Sequence, residues 1–297
     1  MRTELIKKID QSLRILKSIP QDKGDVELCY SGGKDSDVIL ELSKMAGIKF
    51  RPIYKNTTID PPGTIKHCKE KGVEIINPST TFFKIMQKKG YPSRFCRFCC
   101  EKLKEYKICD IAIQGIRKSE SLKRNNLYNE PQICRFYGNK KNRVSVFLPI
   151  LNWTDEDVSE FVSERSIECH PIYYRKGGKF DVKCRLGCIG CPLASKTKRV
   201  QEFKENHKIV KLWIKNAQVF YDNHKANTSK KIDNAIEGFV ETLFYDSYAE
   251  FEAATYTMFG KTDWRKCLED YFNIDLSDIA YEDTTSEEDF TCDSAMR

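Results

Sequence analysis

The sequence contains no long apolar run. No stretch approaches the roughly 20 apolar residues that a membrane-spanning helix needs, so we expect no membrane partner. Residues 1–10 mix charged and apolar side chains at helical spacing, which is not the pattern of a secretory signal peptide. Internal repeats are absent, and low complexity is confined to the C-terminal end. These absences predict a globular, cytoplasmic protein.

Cysteine, by contrast, is abundant, with 13 residues in a chain of 297. A disulfide framework is not expected in a reducing compartment, so this number predicts metal binding or redox chemistry. Isolated cysteines are interpreted as small packing residues. These are Cys29, Cys68, Cys109, Cys134, Cys169 and Cys267.

The net charge of +7 is unevenly distributed. Residues 263–297 contain eleven acidic and three basic side chains, which leaves about +15 on residues 1–262. A basic body favours polyanionic partners such as nucleotides and nucleic acid, although an ordinary solvated lysine-rich surface has the same composition. The acidic end is predicted to be a flexible tail.

Strand-like and helical segments alternate through the first half of the chain. The predicted strands are 26–30, 49–54, 73–76, 110–114 and 145–148. The predicted helices are 35–46, 62–71, 82–88, 99–107 and 155–165, followed by 200–217, 232–244 and 248–259. This alternation predicts an α/β fold, a doubly wound and mostly parallel sheet with a helical C-terminal region. We therefore divide the chain into an α/β domain (1–195), a helical region (196–262) and the acidic tail (263–297).

A glycine-rich turn joins the first predicted strand to the following helix. It reads Ser31-Gly32-Gly33-Lys34-Asp35-Ser36. Glycine lets backbone N–H groups approach an oxyanion, and the helix N-terminus adds partial positive charge. The spacing is not that of a Walker A loop, which has four residues between its first glycine and the Gly-Lys pair. We predict a site for a phosphate, pyrophosphate or sulfate group of a nucleotide.

Polar residues follow two other predicted strands. Asn56 and Thr57 follow the second strand, and Gly115 and Arg117 follow the fourth. Because parallel sheets bind ligands beyond the carboxyl ends of their strands, these residues are predicted to share the binding edge with the glycine-rich turn. Arg117 and Arg124 are candidates to clamp an anion.

Two groups of closely spaced cysteines suit a metal. Residues 96–100 read Cys-Arg-Phe-Cys-Cys, and residues 184–191 place three cysteines within eight positions. An all-thiolate donor set suits either a [4Fe–4S] cluster or zinc, and the spacing does not decide between them. Lys102 and Lys104 lie beside the first group and are candidates to hold an anion near it.

These motifs resemble the phosphoadenosine phosphosulfate (PAPS) reductase family. The glycine-rich turn resembles the SGGxDS pyrophosphate loop of N-type ATP pyrophosphatases, the adenine nucleotide alpha hydrolase superfamily that includes this family. Segments 99–104, 115–124 and 149–173 resemble other family motifs, and the whole resemblance covers residues 25–195. By similarity to cluster-bearing adenylylsulfate reductases, it implies a [4Fe–4S] cluster held by Cys99, Cys100, Cys188 and Cys191. Cys96 and Cys184 are alternates, and a zinc site built from two CxxC pairs stays open.

The resemblance implies two enzymatic functions. In the first, ATP binds with Mg²⁺ at Ser31–Ser36, and Lys34, Asp35, Arg117 and Lys104 are catalytic, as in DNA phosphorothioation sulfurtransferases. The cofactor-binding set is Ser31, Gly32, Gly33, Lys34, Asp35, Ser36, Asn56, Thr57, Gly115, Arg117 and Arg124. Sulfur from a cysteine desulfurase or thioredoxin-type donor would reach an adenylated acceptor such as nucleic acid. The family also implies a homodimer.

The second function is reduction of adenylyl-sulfate (APS) or PAPS with release of sulfite to thioredoxin. Reductases usually carry an altered loop and a nucleophilic cysteine in a C-terminal Glu-Cys-Gly-x-His segment. Here the last cysteine, Cys292, has acidic neighbours and neither glycine nor histidine beside it. Acidic neighbours raise a thiol pKa, which disfavours a nucleophile. A nucleotide-sensing module without turnover is the non-enzymatic alternative.

Overall fold

The computed structural model describes residues 1–138, 142–175, 177–224, 232, 234–257 and 260–281. Its residues form two compact units, and each unit is made of two chain segments. The first unit comprises Met1–Pro78 and Cys100–Gly187, and the second comprises Ser79–Cys99 and Cys188–Arg297. The predicted limits at 195 and 262 stay a prediction. In this grouping, residues 79–99 belong with the C-terminal segment.

The first unit is built on a mostly parallel sheet, which confirms the predicted fold class. The strands described are β1 (Val26–Tyr30), β2 (Arg51–Lys55), β3 (Glu74–Ile76), β4 (Ile111–Ile113), β5 (Gln132–Phe136) and β6 (Arg143–Phe147). Their order is β3-β2-β1-β4-β6-β5, and β5 pairs antiparallel with β6 at one edge. The prediction missed β5 because its side chains alternate between exposed and half-buried, so it lacks the apolar run of the central strands.

Helices flank this sheet. They are α1 (Thr3–Lys17), α2 (Lys34–Ala46), α3 (Thr64–Glu70), α6 (Leu122–Leu127) and α7 (Asp155–Glu164), and α5 (Phe98–Leu103) spans the junction between the units. Alternate residues of each strand face opposite sides. Val26 and Leu28 pack in the larger apolar core, and Val144 and Val146 pack in a separate, smaller apolar cluster.

The second unit is mainly helical. It contains α4 (Phe82–Lys89), α8 (Lys196–Glu205), α9 (His207–Asn223), α10 (Ala235–Phe244), α11 (Tyr248–Thr255), α12 (Trp264–Phe272) and a hairpin of β7 (Tyr256–Thr257) and β8 (Gly260–Lys261). The ring of Phe82 in α4 lies 5.0 Å from that of Trp213 in α9, which explains why α4 groups with the C-terminal helices.

Three predicted helical or tail segments differ from the structure. The helix predicted over 200–217 is two helices, because the backbone of Asn206 leaves the helical conformation and its side chain donates to the Glu202 carbonyl. The helix predicted over 248–259 ends at Thr255, and residues 258–259 lie outside the described residues. The predicted tail contains α12, whose Trp264 and Leu268 are fully buried, and residues 282–297 lie outside the described residues. Among the described helices, none is long and apolar enough to cross a membrane.

Candidate functional site

The glycine-rich turn connects the end of β1 to the start of α2. Gly32 adopts a φ of 76°, a conformation that favours glycine. The Ser36 backbone N–H and hydroxyl both donate to the Gly33 carbonyl, at 2.9 and 2.6 Å. The Ser31 hydroxyl lies 3.3 Å from that of Ser36. The turn therefore gathers backbone amides and two hydroxyls at a helix N-terminus, an arrangement suited to an anion.

The end of β4 packs directly against this turn. A Cβ atom at Gly115 would lie 2.8 Å from the Asp35 carbonyl oxygen, so no larger residue fits without moving the backbone. Arg117 is 1% exposed, and its Nε donates to Asp35 Oδ1 at 2.7 Å. Its Nη1 and Nη2 donate to Ser119 and Asp155 at 2.9 Å each. With two carboxylate partners, Arg117 positions Asp35 rather than offering an open fork to a phosphate.

Lys34 is held by contacts within the first unit. It is 4% exposed, and its Nζ lies 3.3 Å from Asp35 Oδ2 and donates to the Cys184 carbonyl at 3.4 Å. The Lys34 backbone N–H donates to the Tyr173 hydroxyl at 3.1 Å. That hydroxyl also accepts the Leu186 N–H at 3.3 Å, and burial raises the pKa of Tyr173.

Sequence reasoning assigned no role to Tyr173. The one sequence feature that included it was the segment His170-Pro171-Ile172-Tyr173. Its contact could not be predicted, because its hydroxyl binds an amide 139 positions away in the chain.

A buried polar network supports the first turn of α2. The Tyr30 hydroxyl donates to the Asp37 carboxylate, and His67 Nε2 lies 3.1 Å from Asp37 Oδ1. The His170 ring meets the His67 ring edge-on at 5.8 Å, and burial lowers the pKa of His170 to about 4. Sequence reasoning missed this network, because its members lie on separate elements and share no motif.

Arg124 belongs to a second charged group near the turn. Its guanidinium pairs with Glu120, whose Oε1 lies 3.9 Å from Arg185 Nη2. Glu120 Oε2 also accepts the Arg117 N–H at 3.2 Å. Burial and the charge of Arg185 lower the pKa of Arg124, while Asp35 opposes this effect. Glu120 therefore connects Arg124 to Arg117, which binds Asp35 in the turn.

The remaining predicted residues collect at the end of β2. Thr57 is 2% exposed and its hydroxyl donates to Asp60, which also accepts the Tyr54 hydroxyl. Lys104 Nζ lies 3.9 Å from Asp60 Oδ1, and the Asn56 amide donates to Asn77 at 2.9 Å. The structure thus joins Lys34, Asp35, Gly115 and Arg117 directly. Thr57 and Lys104 surround Asp60, which the sequence analysis did not single out.

A cavity of about 200 Å³ opens beside Ser31 on one face of the sheet. Its lining includes Glu27, Cys29, Lys55 and Gln114, together with Ser31. Lys55 Nζ pairs with Glu27 Oε1 at 3.0 Å, and burial raises the pKa of Cys29 to about 12. A thiol with this pKa is protonated at neutral pH, so Cys29 fits a packing role better than a nucleophilic one.

The cysteines proposed as metal ligands are divided between the units. Cys96, Cys99, Cys188 and Cys191 belong to the second unit, and Cys100 and Cys184 to the first. Within the described part of the chain, no three His, Cys, Asp or Glu side chains are grouped as a metal site would require. As placed, these thiols do not fit a cluster or a zinc ion, and we derive no reaction step through one.

Known proteins resemble part of this chain. It is 24% identical over 222 residues to sulfate adenylyltransferase subunit 2 of Shewanella frigidimarina, covering 58% of this chain and 70% of the relative. The corresponding Yersinia pestis subunit is 26% identical over 208 residues, covering 56% of this chain and 66% of the relative. The chain thus spans about two thirds of the length of these relatives.

Two further comparisons concern fold and family. The crystal structure of PAPS reductase from Candida auris aligns with a TM-score of 0.40 at 13% identity, covering 58% of this chain and 90% of that one. Residues 25–194 match the family described as the phosphoadenosine phosphosulfate reductase domain, and this range includes the turn, Arg117 and Tyr173. The chain belongs to the PAPS reductase family.

Proposed function

We propose that this protein binds ATP at Ser31–Ser36 and transfers its adenylyl group to an acceptor, which then receives sulfur. The observation that carries this proposal is the glycine-rich turn at the N-terminus of α2, where Gly32 takes a φ of 76°, the Ser31 and Ser36 hydroxyls lie 3.3 Å apart and Lys34 is the first helical residue. Such donors suit the β- and γ-phosphates of MgATP. The cavity beside Ser31 provides adjoining space for another part of the nucleotide.

The reaction is a substitution at the α-phosphate. An acceptor oxygen attacks the α-phosphorus, and the bond to the bridging oxygen breaks and releases pyrophosphate. A thioredoxin-type dithiol reduces the persulfide of a cysteine desulfurase, becomes a disulfide and releases hydrosulfide. The hydrosulfide attacks the acceptor atom that bears the adenylyl oxygen, the bond between that atom and oxygen breaks, and AMP leaves. Lys34 would exchange its 3.3 Å contact with Asp35 for the phosphates, while Arg117 holds Asp35 in place. Catalysis would rest on positioning and charge stabilisation.

Two other functions have specific support. Similarity to sulfate adenylyltransferase subunit 2 favours sulfate as the oxygen nucleophile, with a second subunit as partner. The family match favours reduction of APS or PAPS to sulfite by thioredoxin. All three functions would use a nucleotide at the same turn. The first two use ATP and differ in the oxygen that attacks the α-phosphorus, whereas the reductase uses a nucleotide that already carries sulfate there.

The test is nucleotide turnover by the full chain. We expect AMP and pyrophosphate from ATP only when an acceptor is present, and at least a 100-fold loss in Lys34→Ala. Lys66→Ala is the matched control, because the Lys66 side chain is 81% exposed on α3.

Other products would assign the other functions. APS formed from ATP and sulfate would identify an adenylyltransferase, and sulfite released from APS or PAPS would identify a reductase. If the protein bound a nucleotide but formed no product from ATP with an acceptor, from ATP with sulfate, or from APS or PAPS, the enzymatic proposal would be wrong.

A further inference from the structure

The glycine-rich turn is covered by a later part of the first unit. A Cβ atom at Gly32 would lie 3.1 Å from Leu186 Cδ2, and one at Gly33 would lie 3.2 Å from the Tyr173 hydroxyl oxygen. Gly32 and Gly33 are buried, although Ser31 just before them is exposed. The Leu186 side chain and the Tyr173 hydroxyl therefore lie over the backbone that would face an anion. We call residues 184–186 the covering segment.

Hydrogen bonds attach the covering segment to the turn. The Lys34 and Leu186 backbone N–H groups both donate to the Tyr173 hydroxyl, at 3.1 and 3.3 Å, so this hydroxyl bridges the turn and the segment. Lys34 Nζ donates to the Cys184 carbonyl at 3.4 Å. A phosphate that reached Lys34 Nζ and the glycine backbone would have to displace this carbonyl and the Leu186 side chain.

Tyr173 is fixed more firmly than the segment that it holds. It is 2% exposed, its carbonyl accepts the Asp181 N–H at 2.7 Å, and its ring lies 5.8 Å from that of Phe180. Residues 184–186 belong to no helix or strand, and Arg185 in their middle is exposed. A partly exposed segment outside regular secondary structure opens more easily than the core beside it. The covering segment is therefore the part that can leave the turn.

We propose that the covering segment inhibits nucleotide binding by occupying the turn. The Cys184 carbonyl competes with phosphate for Lys34 Nζ, and the Leu186 side chain blocks the backbone of Gly32. A nucleotide then binds only the open form, so its apparent affinity is reduced in proportion to the fraction of molecules that are open. The inference rests on the proposed function for one point, that phosphates bind at this turn.

The test measures the ATP affinity of the full chain by titration calorimetry without an acceptor. Tyr173→Phe keeps the ring but removes the bridging hydroxyl, which leaves two N–H groups of the closed form without their acceptor. We expect ATP to bind about fivefold more tightly, and Leu186→Ala to act in the same direction. The matched control is Tyr174→Phe, because the Tyr174 hydroxyl accepts the Cys169 N–H at 3.4 Å instead. Its ATP affinity should be unchanged.

Hydrogen exchange gives a second readout on the unaltered protein. ATP should speed exchange of the Leu186 N–H, because this group loses its acceptor when the covering segment leaves the turn. Thermal unfolding checks that each variant keeps its fold.

The outcomes separate this inference from the proposed function. Equal or weaker ATP binding in Tyr173→Phe and Leu186→Ala, an equal gain in Tyr174→Phe, or slower exchange of the Leu186 N–H with ATP would show that the covering segment does not inhibit. Tighter ATP binding in the two variants, but no AMP from any acceptor, would refute the proposed reaction alone. If neither the unaltered protein nor the variants bound ATP, the proposed function and this inference would both be wrong.

Discussion

At the scale of single residues, partners decide what a side chain can do. Arg117 was predicted to clamp an anion, yet its guanidinium is buried between Asp35 and Asp155. A buried arginine with two carboxylates is neutralised and fixed, whereas an exposed one is available to a ligand. The side chain of Arg185 is 61% exposed, and its Nη2 lies 3.9 Å from Glu120 Oε1.

The first prediction concerns the Arg117 ion pairs. Arg117→Lys cannot reach Asp35, Ser119 and Asp155 together, so at least one carboxylate loses its partner. We expect the free energy of unfolding to fall by about 3 kcal/mol and ATP affinity to fall at least tenfold. Urea denaturation and titration calorimetry measure the two effects.

The matched control for Arg117 is Arg165→Lys. Arg165 pairs with Glu41 at 2.6 Å, but its side chain is 43% exposed. We expect a loss below about 1 kcal/mol and unchanged ATP affinity. If both changes lowered the free energy of unfolding equally, burial of the Arg117 ion pairs would add nothing to their contribution to stability.

The second prediction concerns acid stability. Burial lowers the pKa of His170 from 6.5 to about 4, so below pH 6.5 the unfolded chain takes up a proton that the folded chain refuses. This contribution to the free energy of unfolding is complete above pH 6.5 and is lost as the pH falls towards 4, by at most about 3 kcal/mol. His170→Asn keeps an acceptor for the Ile172 N–H and should flatten this part of the pH profile.

Denaturation from pH 7 to 4 compares the His170 variant with His207→Asn, which alters an exposed histidine. If the free energy of unfolding fell as much between pH 7 and 4 in His170→Asn as in His207→Asn, His170 would not be the group responsible for the acid sensitivity.

At the scale of elements, the ends of strands and helices place the chemistry. Helix starts were readable from local sequence: Thr154 accepts the Asp157 N–H, and the Asp157 carboxylate accepts the Thr154 N–H at 2.8 Å. The meeting of β4 with the start of α2 is different, because it depends on sheet order. Only the pairing of β1 with β4 brings Gly115 against Asp35.

The third prediction tests this close approach. In Gly115→Ala the added Cβ would lie 2.8 Å from a backbone oxygen, so β4 or the turn must move. We expect at least a tenfold loss of ATP affinity with the fold retained, measured by calorimetry and circular dichroism. Gly187→Ala is the control, because a Cβ there meets nothing within 4 Å. Unchanged ATP affinity in Gly115→Ala would show that the turn tolerates the shift.

At the scale of the whole molecule, the chain passes from one unit to the other inside both cysteine groups. The boundaries fall between Cys99 and Cys100 and between Gly187 and Cys188. The four cysteines implied by the family resemblance therefore come from both units, whereas two CxxC pairs, Cys96/Cys99 and Cys188/Cys191, come from the second unit alone. The two ligand sets differ only in Cys100 and Cys96.

The fourth prediction uses that difference. Because the thiols as placed do not fit a metal, we expect anaerobically purified protein to contain no stoichiometric iron, sulfide or zinc. About four iron and four sulfide per chain, kept in Cys96→Ser and lost in Cys100→Ser, would contradict this expectation and support the ligand set that the family resemblance implies. Metal analysis and visible absorption measure both. Loss in Cys96→Ser alone would select the two CxxC pairs. Zinc without sulfide would indicate a structural zinc site instead of an iron–sulfur cluster.

Local sequence alone determined the central strands, the glycine-rich turn and the family, because apolar periodicity and glycine conformation act over a few neighbouring residues. It did not reveal β5, whose residues are half exposed at an edge, or the burial of α12 within the predicted tail. Only the tertiary structure decided that Arg117 binds Asp35 and Asp155 and that Tyr173 reaches the Lys34 amide. These contacts join residues 38 to 139 positions apart, and such pairings depend on sheet order and packing rather than on local pattern.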